Sequence, residues 1–193
     1  MIAGGVQMKS MSAAPSGTSS IEPSTSSPRT SPGSRLTGFG VVDCRGDVQG
    51  YVASGSVQSI GGTFPDRLRR IFQSVGEIMA KYRPDVVVVE SVFMHRNASS
   101  ALKLGQARSA AICATFGYDV EIHEYAPREI KQAIVGTGAA SKEQVQHMVI
   151  SLLKLDAAPS LDAADALAAA LCHGHQHRIK NRLALREAAV LPR

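Results

Sequence analysis

Four consecutive valines, Val86 to Val89, constrain this chain more than any other stretch. β-Branched side chains favour extended backbone, and a strand with no polar residue in alternation must be covered on both faces. Such a strand belongs at the centre of a sheet with helices on each side, which makes the chain α/β. Pro84 precedes the run and Glu90 ends it, at the C-terminal strand edge where open α/β sheets carry their sites. A carboxylate there is either a solvated strand end or a functional group.

The surrounding pattern supplies the layers. Leu36 to Asp43 and Val48 to Ile60 read as two strands of a hairpin, turning at Cys44, Arg45, Gly46 and Asp47. Between Pro65 and Pro84, Leu68, Ile71, Phe72, Val75, Ile78, Met79 and Tyr82 keep helical steps of three and four. A second helix spans Ser99 to about Phe116 and is closed by Gly117. Val120 to Tyr125 alternates as a strand, with Val120 and Ile122 inward and Glu121 and His123 outward. Pro127 opens a short helix ending near Gly136. Ser141 and Gln144 form a capping box for another, with the stripe Val145, Met148, Val149, Leu152 and Leu153. Ser160 caps an Ala-rich helix from Leu161 to about Cys172.

Composition sets the remaining bounds. Aromatics are 5% with no Trp, so the core must be Val, Leu, Ile and Ala. Residues 1–31 are dominated by Ser, Thr, Pro and Gly and are expected to be disordered or foreign to the fold; residues 32–175 form the domain, and 176–193 a basic tail. No stretch approaches the roughly 20 apolar residues of a membrane span. Cys44, Cys113 and Cys172 are widely separated, which points to buried thiols in a reducing cytoplasm.

Asp162 and Asp165 share one helix face, in the first turn of an apolar helix. They serve either the helix dipole or a site. Together with Glu90 they suit a hard divalent ion such as Mg²⁺, which gathers carboxylate oxygens in phosphodiester chemistry. Lys103, Arg108, Arg128, Lys131 and Lys142 are bases suited to phosphate, and the net charge of +5 favours a nucleic-acid partner. His173, His175 and His177 alternate at a helix end, as metal ligands or as cations near the C-terminus. His147 reads as a helix-surface residue.

The run Glu90-Ser91-Val92-Phe93-Met94 with Asn97, the stretch Ser100 to Arg108, Tyr125 with Arg128, Lys131-Gln132 and Val135-Gly136, then Lys142, Gln144 to Met148, and Asp162 to Ala168 resemble the RuvC family of Holliday junction resolvases. The resemblance covers about Pro32 to His175. It implies an RNase H-like fold with a mixed sheet flanked by helices, and a homodimer. It implies Mg²⁺-dependent (or Mn²⁺-dependent) nicking of four-way DNA junctions beside the branch-migration proteins RuvA and RuvB. By motif, Glu90, Asp162 and Asp165 are implied catalytic metal ligands. Phe93 is the implied aromatic that stacks on an unpaired base, and Lys103, Arg108, Lys131 and Lys142 are implied DNA contacts.

One position departs from the family. There, a hydrophobic first strand leads into Asp-Pro-Gly-Ser, and the Asp is the first metal ligand; here Ser31 precedes Pro32-Gly33-Ser34. Residues 24–31 carry no apolar side chain, so this first central strand reads as degenerate. Asp43 lies at the far end of the next strand and Glu22 in the Ser-rich segment, so neither is placed to substitute. The expectation is a catalytically impaired, junction-binding relative, or a normal enzyme behind a non-native segment 1–31.

Overall fold

The computed structural model describes residues 3–8, 36–45, 48–91 and 98–190. Five strands form one sheet in the order β3-β2-β1-β4-β5. The strands are β1 (Ala3–Met8), β2 (Leu36–Arg45), β3 (Val48–Gln58), β4 (Val86–Glu90) and β5 (Glu121–Tyr125); the helices are α1 (Phe64–Tyr82), α2 (Ala98–Cys113), α3 (Pro127–Val135), α4 (Lys142–Leu153) and α5 (Leu161–Val190). β2 and β3 form the expected antiparallel hairpin, and β4 and β5 run parallel.

The valine run is central and covered on both faces. Val87 and Val89 pack with Met79 of α1 and Ile112 of α2. Val88 packs on the opposite face with Leu167 and Leu171 of α5 and with α3 and α4. Local signals fix the helix ends. Thr63 and Asp66 make a capping box at the start of α1, Ser141 and Gln144 make the one expected for α4, and Gly136 ends α3 with φ 85°.

Glycines on β2 let α5 lie directly on the sheet. A Cβ on Gly40 would stand 2.7 Å from the Leu167 backbone nitrogen, and one on Gly38 would collide with the Asp162 carbonyl. The helix start is held from two sides, by Ser56 Oγ and Ser160 Oγ 3.1 Å apart and by Gln146 Nε2 donating to the Pro159 carbonyl at 2.7 Å.

Several expectations are corrected. Within the segment expected to be disordered, Ala3–Met8 is the central strand. It runs parallel to β2 and antiparallel to β4. A strand ending just before Leu36 and turning into it would run the other way, because short turns join antiparallel neighbours. Residues 24–31, read as the degenerate first strand, lie outside the described residues. The last helix does not stop near Cys172 but continues to Val190, taking in most of the supposed basic tail. His123 is part-exposed, on the face opposite Ile122 as expected, and its ring also packs on His173 of α5, their centroids 4.4 Å apart. Cys172 is buried, whereas Cys113 is exposed. Among the described residues no helix is long and apolar enough to cross a membrane.

Candidate active site at the C-terminal end of β4

Glu90 stands at the end of β4, and the first turn of α5 brings Asp162 and Asp165 to the same end of the sheet. Asp162 arrives there because Gly38 lets its backbone rest on β2. Glu90 belongs to the α5 face by alternation with Val89, which faces α1 and α2. Burial, and then the nearby Asp165 carboxylate, push the Glu90 carboxyl up to about 7; Lys142 and Lys131 oppose the rise. The Glu90 and Asp165 charges therefore share one environment, with two of the expected lysines beside them.

Lys142 opens α4 and places Nζ 2.8 Å from Asp165 Oδ2, whose side chain is only 16% exposed. It is the cation that compensates this carboxylate. Lys142→Ala is expected to lower stability in a chelating buffer by about 1 kcal/mol, a fall of roughly 2–4 °C in the thermal midpoint. Adding Asp165→Asn should recover most of that loss in a double-mutant cycle.

Arg108, expected as a DNA contact, makes an ion pair within the chain. Its guanidinium NH2 lies 2.6 Å from Glu124 Oε1 of β5, an ion pair off the line of a good hydrogen bond, and its Nε donates to the Glu90 carbonyl at 3.4 Å. It ties α2 to the ends of β4 and β5. Nothing in the sequence marks Glu124 as its partner, because the pairing depends on how α2 crosses the sheet. Lys103 is exposed on α2, as a DNA contact requires, and Lys131 is half-buried on α3. Phe93, Asn97 and Ser31 lie outside the described residues.

The donor set is hard oxygen, which suits Mg²⁺ or Mn²⁺. The fit is incomplete. Among the described residues no group of three His, Cys, Asp or Glu side chains is arranged to hold a metal, a cation of the protein already sits on Asp165, and Ala3–Met8 contributes no carboxylate.

His173, weighed above as a metal ligand, is instead a buried core residue. Its Nδ1 is 2.9 Å from the Tyr125 hydroxyl, and His177 stacks beside it with ring centroids 5.9 Å apart. Burial, then the neighbouring His123 and His177, hold its imidazole down at about 4. His147 is exposed, as expected.

A mixed sheet with helices on both faces and carboxylates gathered at one strand end defines a nuclease of the RNase H-like class. The family model described as crossover junction endodeoxyribonuclease RuvC matches residues 30–173. Relatives bearing that name include one from Alkalilimnicola ehrlichii, 56% identical over 152 residues covering 79% of this chain and 92% of the relative. Another, from Photobacterium profundum, is 53% identical over 147 residues, covering 76% and 85%. Among solved structures, Thermus thermophilus RuvC superposes with a TM-score of 0.68 at 35% identity over 77% of this chain and 93% of that one. T. thermophilus RuvC in complex with a Holliday junction substrate gives 0.68 at 33% identity, over 77% and 92%. The chain belongs to the RuvC family. β2 to β5 and the three acids fall inside the matched region, whereas β1 falls outside it.

Proposed function

We propose that this chain is a Holliday junction resolvase that binds four-way DNA as a homodimer and nicks it with a divalent ion, Mg²⁺ or Mn²⁺, at Glu90, Asp162 and Asp165. The observation that carries the reading is the shared environment of Glu90 and Asp165, with Lys142 and Lys131 beside them, in a chain whose residues 30–173 match the family. Lys131, Lys142 and Lys103 position the phosphate backbone, and Phe93 stacks on a base at the branch point. Arg108 joins the lysines as a phosphate contact, and its ion pair with Glu124 also ties α2 to the ends of β4 and β5. Glu90, Asp162 and Asp165 would hold the ion, which would supply activation of the attacking water and stabilisation of the leaving 3′ oxygen.

Two copies are required to cut both strands of a symmetric junction, and α2 offers an apolar surface for pairing, with Leu102 65% exposed. RuvA and RuvB are the expected partners, in the cytoplasm. The nuclease domain is the 32–175 segment together with the strand Ala3–Met8 and the remainder of α5.

The acid set bears on the rate. Ser31 replaces the first ligand, so the unaltered chain binds junctions and cleaves them slowly. Incubating the chain with labelled four-way and linear DNA in Mg²⁺ tests both parts: preference for the junction is expected with weak nicking, and equal binding of linear DNA would overturn the assignment.

Junction affinity should also fall steeply with salt, because each phosphate neutralised by Lys or Arg releases counterions. Lys131→Ala is expected to weaken binding and to reduce the slope of log K against log salt by about one. Titrations at three salt concentrations check this; a flat response would remove the phosphate role.

A further inference from the structure

α5 outruns the sheet it packs on. It follows β2 from the acid end to the hairpin end, with Asp162 resting on Gly38, Leu167 on Gly40, and Gly174 against Cys44 and Gln49. Its last buried side chains are Cys172 and His173, and the region matched by the family ends at residue 173. Residues 175–190 continue the helix beyond that contact, about 24 Å at 1.5 Å per residue. From Ile179 onward every described side chain is exposed. The acid site is at the other end of the same helix, Asp162 standing about 27 Å from Lys180 along its axis. Neither the core nor the cleavage reading uses this segment.

The segment has an ordered face. Ile179 is 54% and Leu183 51% exposed, and a spacing of four makes them one apolar stripe. By helical rotation Arg182 and Arg186 lie along one side of that stripe and Lys180 along the other, with Glu187 the single acid between residues 174 and 190. A second copy of the chain would set these cations against their own kind. DNA phosphates offer nothing to two aliphatic side chains, and a junction seated at the acids lies at the opposite end of α5. A lipid surface takes a broader apolar face carrying large aromatic or leucine side chains, and residues 174–190 contain no Phe, Tyr or Trp. An acidic amphipathic helix answers both the stripe and its flanks.

We propose that the exposed end of α5 is a docking surface for an acidic amphipathic helix of another protein, whose leucine stripe packs on Ile179 and Leu183 and whose flanking carboxylates face Lys180 and Arg186. Pairing of this kind divides the work: the apolar seam supplies contact area, and the charges beside it choose the partner and its orientation. Opposite charge on the two helices also speeds their encounter and makes the complex sensitive to salt. Because the surface lies away from the acids, a partner held there leaves the cleavage site open, so the chain can be tethered while it is bound to DNA.

The probe is a fluorophore-labelled, amidated, helix-forming peptide with a leucine stripe flanked on both sides by glutamates, titrated against the full chain. Saturable anisotropy that weakens with added salt is expected. Versions with glutamine for every glutamate, or serine for every leucine, should bind about tenfold or more weakly. In the chain, Ile179→Ser with Leu183→Ser should cost a similar factor, and so should Lys180→Glu with Arg186→Glu; the latter pair should instead bind a peptide with lysine in place of glutamate. All four side chains are exposed, so the thermal midpoints should stay near the parent's. Absence of saturable binding, or equal binding of the three peptides by the unaltered chain, overturns the proposal, and this comparison decides even if a variant unfolds. Junction affinity should be unchanged in both double variants. A tenfold loss there would assign the helix end to DNA, and sedimentation with phosphatidylglycerol vesicles that Ile179→Ser with Leu183→Ser abolishes would assign it to lipid; either result overturns the proposal. Junction binding by the unaltered chain is measured separately, so failure of the peptide and failure of the resolvase reading are distinguishable.

Discussion

Exchanging residues 24–31 for an apolar strand that ends in Asp, with residues 1–8 removed, is expected to raise junction nicking by roughly three orders of magnitude, about 4 kcal/mol of barrier. The reason is geometric. β2 begins at the Glu90 end of the sheet, because Ala3 pairs with Gly38 and the adjoining Gly4 pairs with Val89. A grafted strand joined to Leu36 by a short connection through residues 32–35 would run antiparallel to β2 and deliver its last residue to that end. There a carboxylate meets Glu90, Asp162 and Asp165 and completes a hard-oxygen set for the ion. Ser31→Asp alone should gain less than about tenfold, since Ala3–Met8 still occupies the slot between β2 and β4 and residues 24–31 carry no apolar side chains from which a supporting strand could be built. Single-turnover nicking of a labelled four-way junction in Mg²⁺ reads the difference, and junction affinity should change little between variants. Rapid nicking by the unaltered chain, or no gain from the graft, would show that the fourth carboxylate is not what limits this site.

The parts of the fold that were legible in the sequence are those specified locally. The valine run, the Ser141 to Gln144 capping box, Pro127 before α3 and the Gly136 cap act within a few residues, and each stands where its pattern put it. The parts that were not legible depend on tertiary choices. Ala3–Met8 has neither alternation nor a run of strand formers, and becomes a strand because β2 and β4 leave unpaired edges on either side of it. The length of α5 was hidden because Gly174 and three histidines look like a helix end. In the structure Gly174 is where the helix approaches the β2–β3 hairpin, its Cβ position 2.9 Å from Cys44 Sγ, and the residues beyond are good helix formers such as Ala, Leu and Arg. Of the site, the acids were readable from strand position and helix spacing. The Lys142 to Asp165 contact and the ion pair of Arg108 with Glu124 were not, because both partners come from different elements.

Two buried groups should make the stability of this chain respond to pH in a way that single substitutions expose. Glu90 has its pKa raised from 4.5 to about 7 on folding, chiefly by burial and then by Asp165. Between those values the folded state holds a proton that the unfolded state has lost, so stability falls as pH rises through this window. His173 has its pKa lowered from 6.5 to about 4, chiefly by burial, with His123 of β5 and His177 and Lys180 of α5 adding to the effect and Glu121 opposing it. Between those values the unfolded state holds the extra proton, so stability rises with pH. Each contribution reaches about 3 kcal/mol across its window. From pH 4.5 to 6.5 the two oppose each other, and the unaltered chain should show only the gentle dependence of its other groups. Glu90→Gln removes the falling contribution, so its thermal midpoint should climb with pH relative to the parent. His173→Asn, which keeps a polar atom for the Tyr125 hydroxyl, should show the reverse, losing midpoint relative to the parent from pH 4.5 to 6.5. Melting all three proteins in chelator across this range checks both signs at once, and parallel curves would mean that neither group is held in the protonation state its burial dictates.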